Sequence, residues 1–288
     1  MGKYGTRVQY GITMFATDRA MAPMELARAI EDRGFDSMFV PEHTHIPASR
    51  ETAAPTGDDE LPEQYRRTLD PFVALTAAAA VTERIRIGTG VCLVAQRDAI
   101  GTAKQVATLD HLTGGRFAFG IGFGWNVEEM RDHGVEFKRR RDVVREKMLA
   151  MERLWADDVA EFDGEFVKFE PSWAWPKPVQ RPRPPVLIGG AAGPKMFAAI
   201  AEYADGWIPI GGAGVRDAWS DLARAAESAG RDPMSLSVVP FGTHPSQSKL
   251  DYYESLGCTE VVFFVPSAGP DKVLPILDQH AEIVAARR

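Results

Sequence analysis

The sequence predicts an α/β fold, a (β/α)8 TIM barrel built as a single domain over residues 1–288, and three observations carry that reading. Eight short apolar runs alternate with helical patterns from one end of the chain to the other. Several of those runs are rich in Val, Ile and Phe without strict alternation, as parallel strands buried on both faces are. The competing doubly wound sheet lacks its phosphate-binding fingerprint, as shown below.

The first strand is expected in VQYGITMF (8–15). The helix APMELARAIEDRG (22–34) follows, with apolar positions 26, 27 and 30 on one face and Gly34 as its cap. SMFVP (37–41) is the second strand. The helix DPFVALTAAAAVT (70–82) starts sharply, because Asp70 sits at the N-cap and Pro71 in the first turn. IRIGTGV (85–91) and RFAFGIG (116–122) are strands three and four, each followed by a helical window, at 99–115 and 140–158. PVLIGG (185–190), GWIPI (206–210), SLSVVPFG (235–242) and EVVFFV (260–265) complete the eight. Helical windows at 194–206, 215–230, 248–257 and 270–288 separate and follow them.

Two segments exceed ordinary connections of about 4–6 residues. One is 42–69, after strand two; the other is 159–184, between strands four and five. In the latter, VAEFDGEFVKFE alternates like a hairpin about Asp163–Gly164 and runs into PSWAWPKPVQRPRP. Both are expected near the C-terminal face of the barrel or the helix beside it. They read either as decoration or, for 42–69 above all, as a lid over a pocket.

Composition narrows the partners. A net charge of −7, without a Lys/Arg cluster interleaved with aromatics, argues against nucleic acid. The run KRRRDVVR from Lys138 has acidic neighbours and helical spacing; it reads as a solvated helix face or, alternatively, as a phosphate-facing one. Two distant cysteines, Cys92 and Cys258, make neither a metal quartet nor a redox pair, so a reducing cytoplasm is the expected location. The N-terminus lacks a signal-peptide core. No uncharged apolar run reaches the roughly 18 residues of a membrane span.

GRFAFGIGFGW (115–125) superficially resembles a nucleotide-binding turn. Counting G-x-G-x-x-G from Gly120 puts Trp125 where a glycine must let helix and strand approach, and no Gly-Lys-Ser/Thr occurs in the chain. The run is instead expected to be strand four flowing into its loop. Its glycines would make room for a flat ligand or a neighbouring backbone. Trp125 and Asn126 are then expected to project at the active-site end.

Just past strand two stand Glu42, His43 and His45, where barrel enzymes place their chemistry. A histidine there can exchange a proton near neutral pH. The alternatives are loop histidines hydrogen-bonded for structure, or a metal site, for which no complementary ligand cluster exists downstream. Strand three ends in Thr89-Gly90-Val91, a bulge position at which a ring can lie on backbone. Strand five ends in Gly189-Gly190, and Ala191, Ala192 and Gly193 lead into a helix near Pro194. Exposed N–H groups at a helix start form an anion cradle, unless the run is simply a tight turn. Neither a G-x-S-x-G elbow nor a base partner for either cysteine is present.

Taken in order, GTGV, LDHLTGGRFAFGIGFGW, KPVQRPRPPVLIGG and ADGW resemble the luciferase-like monooxygenase superfamily over roughly residues 8–288, and within it the actinobacterial oxidoreductases that use the deazaflavin coenzyme F420. The resemblance implies a barrel whose flavin-like ring lies over the strand-three bulge, with a cis peptide at Gly90-Val91. It implies phosphate contacts from Gly189, Gly190, Ala191 and Ala192. It places His43 beside the reacting ring, with Glu42 orienting it or tuning its pKa. The reaction implied is hydride transfer between F420 and a small organic substrate. The alternative is an FMN-dependent monooxygenase fed by a partner reductase, and a third reading is a non-catalytic flavin-binding homologue. A homodimer is usual in the family. Trp125 stands where a sugar-phosphate dehydrogenase branch carries a catalytic glutamate, which argues for a more apolar substrate face. Trp125, Trp173 and Trp175 would stack on ring or substrate, or else pack the insertion.

Overall fold

The apolar runs form strands around one axis, and the helices between them cover the outside. In the computed structural model, which describes residues 7–55 and 60–288, the chain runs β1 (Gln9–Thr13), α1 (Pro23–Asp32), β2 (Ser37–Val40), α2 (Pro71–Ala79), β3 (Arg86–Thr89), α3 (Ala99–Leu112) and β4 (Phe117–Gly122). It continues through α4 (Val127–Asp132), α5 (Arg140–Ala156), the hairpin β5 (Ala160–Asp163) and β6 (Lys168–Ser172), then β7 (Val186–Gly189), α6 (Pro194–Tyr203), β8 (Gly206–Ile208) and α7 (Val215–Ser228). The last elements are β9 (Ser237–Val238), β10 (Phe241–Thr243), α8 (Gln247–Ser255), β11 (Glu260–Phe264) and α9 (Pro270–Ala285). Among the described residues, no helix is long and apolar enough to cross a membrane.

Nine strand segments form a curled parallel sheet in the order β10-β11-β1-β2-β3-β4-β7-β8-β9, a TIM-barrel-like α/β architecture. The expected seventh strand, 235–242, is divided. Pro240 has no N–H to give the ladder, so β9 pairs with β8 while β10 pairs with β11. The chain between them still bridges both neighbours. Val239 N–H donates to the Trp207 carbonyl at 2.9 Å, and Val262 N–H donates to that of Pro240 at 2.9 Å.

Side chains from most of the strands fill the inside of the curl. Phe39, Ala118, Leu187, Ile208, Val239, Phe241 and Val262 form that inner cluster, and a larger cluster lies between sheet and helices. The helix signals act as expected. Asp70 accepts the Val73 N–H at the start of α2, and Gly34 adopts φ 77° just beyond α1.

The glycines of β4 make room for protein rather than for a ligand. A Cβ on Gly120 would lie 2.0 Å from the Thr89 carbonyl oxygen. One on Gly122 would lie 2.5 Å from the Val91 side chain, and one on Gly189 2.7 Å from it. Of the two expected occupants, flat ligand or neighbouring backbone, the backbone of β3 and the Val91 that follows it take the space.

Candidate active site

His43 stands at the C-terminal ends of the strands, just past β2. It is 7% exposed, and its ring is held on both sides. Nδ1 lies 2.8 Å from Glu129 Oε2, and Trp125 Nε1–H donates to Nε2 at 3.3 Å. An indole nitrogen can only donate and a carboxylate only accept. The imidazole is therefore neutral, with its proton on Nδ1 and its lone pair on Nε2. The main chain is fixed as well: Thr68 Oγ1 donates to the His43 carbonyl at 2.6 Å and accepts its N–H at 3.2 Å.

Glu129 comes from the short helix α4, 86 residues downstream. Asn126 caps that helix, its Oδ1 accepting the Glu129 N–H at 2.9 Å. Glu129 is fully buried, and its other oxygen accepts the Thr44 N–H at 3.1 Å. The neighbouring Glu128 points elsewhere and takes the N–H groups of Glu51 and Thr52 and the Thr52 hydroxyl, at 2.9, 3.1 and 2.7 Å. Burial works to raise the pKa of Glu128, but the hydroxyl and N–H donors outweigh it and hold the carboxyl at about 2. Adjacent residues of one helix thus bind two parts of the segment after β2.

Glu42 has a different task from the one expected. It turns away from His43, its Oε2 accepting the Leu93 N–H at 2.7 Å and its Oε1 accepting from Arg97 Nε at 2.6 Å. Arg97 also reaches Asp70 at 2.7 Å and lies over the Phe72 ring. Consecutive residues leaving a strand point to opposite sides, so only one of Glu42 and His43 can face the mouth. The carboxylate that orients His43 is Glu129. Sequence reasoning passed over it because its only signal was an Asn cap after the GW step.

His45 lies at the surface, 3.2 Å from Asp132, and shares the Thr44 hydroxyl with His133. Glu42, His43 and His45 therefore have three separate sets of partners. Trp125 reaches the mouth, as expected. Asn126 serves as the cap described above and is fully buried.

Trp175 is not brought to the mouth. Its carbonyl accepts from Lys104 on the outer face of α3, and its ring is 55% exposed, so the helix layer separates it from the strand ends. Only the far end of the 159–184 insertion reaches the sheet, where Gln180 Nε2 donates to the Phe117 carbonyl at 2.8 Å. Its hairpin gives the N–H groups of Glu165, Phe166 and Val167 to Glu146 of α5. Instead of Trp175, an aromatic wall unforeseen in the sequence forms from Tyr65 and Phe15. Tyr65 packs against His43, Trp125 and Phe15 with ring centroids 5.4, 5.9 and 4.8 Å apart.

On the strand-three side, Thr89 Oγ1 donates to the Gly120 carbonyl at 2.6 Å, and the Gly90–Val91 peptide is cis. After β7, Gly190 N–H is used by the Ile208 carbonyl at 3.1 Å. The N–H groups of Ala191, Ala192 and Gly193 have no acceptor among the described residues, and a Cβ on Gly193 would meet nothing within 4 Å. With the start of the ten-residue α6 immediately behind them, these donors suit a phosphate.

The luciferase-like monooxygenase family model matches residues 7–246. The chain belongs to this family. An uncharacterised protein of Mycobacterium tuberculosis is 47% identical over 96% of this chain and 99% of its own length. The 5,10-methylenetetrahydromethanopterin reductase of Methanolobus tindarius is 25% identical over 92% of this chain and 73% of its own. An F420-dependent secondary alcohol dehydrogenase, solved with an F420–acetone adduct, superimposes with a TM-score of 0.78 at 18% identity, covering 98% of this chain and all of that one. As a member of the luciferase-like monooxygenase family, the chain is of an oxidoreductase class.

Proposed function

We propose that the protein is an oxidoreductase that transfers a hydride between coenzyme F420 and a small organic substrate. The observation that carries this reading is the neutral, carboxylate-backed His43 with its lone pair on Nε2, at the same end of the sheet as the open N–H cradle. The similarity to a methylenetetrahydromethanopterin reductase over 92% of this chain supports the reductase reading. The cradle at Ala191–Gly193 would hold the cofactor's phosphate, and the backbone of Thr89, Gly90 and Val91 would bear the ring. When bound, the cofactor supplies the two-electron chemistry.

The chain's own residues supply proton handling and a dry surface. His43 accepts a proton at Nε2 from a substrate hydroxyl, or returns one to a carbonyl, while Glu129 stabilises the imidazolium. Trp125 must yield its hydrogen bond to Nε2 for that to happen, so its indole caps the base until substrate displaces it. Tyr65, Phe15 and Trp125 suit a substrate with an apolar face. The described parts of the 42–69 segment, 42–55 and 60–69, would act as the lid, residues 56–59 lying outside the described residues, and a homodimer in the cytoplasm is part of the same proposal.

Titration of the purified protein with oxidised F420 and, in parallel, FMN, followed by cofactor fluorescence, tests the reading. Tight F420 binding with negligible FMN binding is expected. His43→Ala should bind F420 within about threefold of wild type yet lose turnover by a factor on the order of 10² to 10⁴. A preference for FMN would move the protein to oxygen-dependent chemistry.

A further inference from the structure

The hydroxyl of Thr44 lies between the buried base and the protein surface. Its Oγ1 is 2.7 Å from His133 Nε2, 3.0 Å from His45 Nδ1 and 3.5 Å from Glu129 Oε1. His45 Nε2 in turn lies 3.2 Å from Asp132 Oδ2, and the two imidazole rings have centroids 5.5 Å apart. Both histidines reach solvent, whereas Glu129, which holds His43 Nδ1 on its other oxygen, is fully buried. The charged groups that face the pair are Asp132 and Glu129 of α4 and, from the strand-two side, Glu42. Partial burial of its ring, and next the neighbouring His45, keep the pKa of His133 below its ordinary value.

A hydroxyl has one proton to give and two lone pairs. Asp132 can only accept, so neutral His45 carries its proton on Nε2 and offers a lone pair at Nδ1. Thr44 gives its proton to that lone pair. It then has none for His133, so His133 Nε2–H is the donor in the 2.7 Å contact. Nor has it one for Glu129, and that contact is the longest of the three. The firm bond to this oxygen comes from the Thr44 N–H instead, at 3.1 Å. A proton added to His45 reverses the first bond, because Nδ1 becomes a donor. The two histidines then fill both lone pairs of the Thr44 oxygen, and the nearest protein acceptor left for the hydroxyl proton is Glu129 Oε1.

We propose that Thr44 is a hydroxyl rotor through which Glu129, and through it His43, senses the protonation of His45 at the surface. The proposal rests on the reading of His43 as the base. With a third donor, Glu129 has less charge to offer His43 Nδ1–H and supports a proton on Nε2 less well. Acid at the surface thus leaves the Nε2 lone pair free but makes it less basic. Thr44 and His45 touch no reacting atom and are positioning residues. His133 is the fixed donor that keeps the hydroxyl from turning towards it.

The test is an NMR titration of the purified protein, with neither cofactor nor substrate added. The His43 Nδ1–H resonance, the Glu129 carboxyl 13C signal and the ring 15N signals of His45 are followed together as pH is lowered. In wild type the His43 resonance should move upfield in step with the titration of His45, as its bond to Glu129 weakens, and the Glu129 signal should move with it. Thr44→Val keeps the N–H that Glu129 accepts and removes the hydroxyl, so both steps should vanish; Thr44→Ser should restore them. His45→Gln has nothing to titrate and should lack them too. Should Thr44→Val fail to fold, Thr44→Ala makes the same deletion. Wild-type signals indifferent to His45 would overturn the proposal. So would steps that survive loss of the hydroxyl, because the charge would then act through space. A His43 ring protonated on Nε2 instead of Nδ1 would refute the base reading, and the Glu129 signal would still decide the rotor.

Discussion

Replacing Glu129 by glutamine keeps the shape of the side chain and removes one of its acceptors, which makes it the sharpest probe of the site. The carboxylate is fully buried and meets two firm donors, His43 Nδ1–H at 2.8 Å and Thr44 N–H at 3.1 Å, one on each oxygen. An amide offers one oxygen and one NH2. If its oxygen faces His43, the NH2 opposes the Thr44 N–H. If its NH2 faces His43, Nδ1 must give up its proton to Nε2, which then opposes the Trp125 N–H. Either arrangement leaves two donors face to face and exchanges a charge-assisted bond for a neutral one. The expected cost is about 2–4 kcal/mol. For a chain of this length that is a fall in melting temperature of roughly 3–7 °C. Calorimetry at pH 7 gives the shift, and 15N spectra of the His43 ring report which nitrogen is protonated. A Glu129→Gln protein melting within about 1 °C of wild type would refute the tautomer assignment and the role given to Glu129.

Three further outcomes follow from the same geometry. Arg97→Met strands the 2%-exposed Glu42 with the Leu93 N–H and the Cys92 thiol as its remaining partners and should cost about 3–5 kcal/mol by urea denaturation, while Glu42→Leu/Arg97→Met should recover most of it. Gly120→Ala forces a Cβ to 2.0 Å from the Thr89 carbonyl, so soluble yield and melting temperature should fall by an amount matching about 3 kcal/mol or more. Burial, and next the neighbouring His244, depress the pKa of His280 to about 4 from an ordinary 6.5. The unfolded chain binds the extra proton between those values, so stability should fall as pH drops from 6.5 towards 4 and then level off, by at most about 3 kcal/mol. His280→Leu should flatten that part of the pH–stability curve, and an unchanged slope would remove His280 as its source.

Much of the architecture is legible in the chain because it is encoded locally. Apolar runs between capped helices give the strands, and Asp70-Pro71 fixes the start of α2 without reference to anything distant. The seventh strand is read too long because its apolar run continues through Pro240, whose effect on the ladder appears only once both neighbours are placed. At the site, His43 and Trp125 are legible as the residues that leave strands two and four. Glu42 is given the wrong task because adjacency in sequence stands in for adjacency in space. Glu129, Tyr65 and Phe15 stand 86, 22 and 28 residues from His43 along the chain, and no local pattern ties them to it. Trp175 misleads for the opposite reason: its aromatic, proline-rich setting looks like a pocket wall but packs on the outside of α3.

The paired glutamates of α4 have a further consequence. Glu128 grips the segment at Glu51 and Thr52, and Glu129, one residue on, grips Thr44 and the ring of His43. A six-residue helix is too short to flex between them. Any outward swing of the 51–52 stretch that drags on α4 is therefore transmitted to the imidazole. The position of that stretch and the orientation of the His43 ring are thus mechanically coupled, and a substitution that loosens the hold of Glu128 would also shift the imidazole.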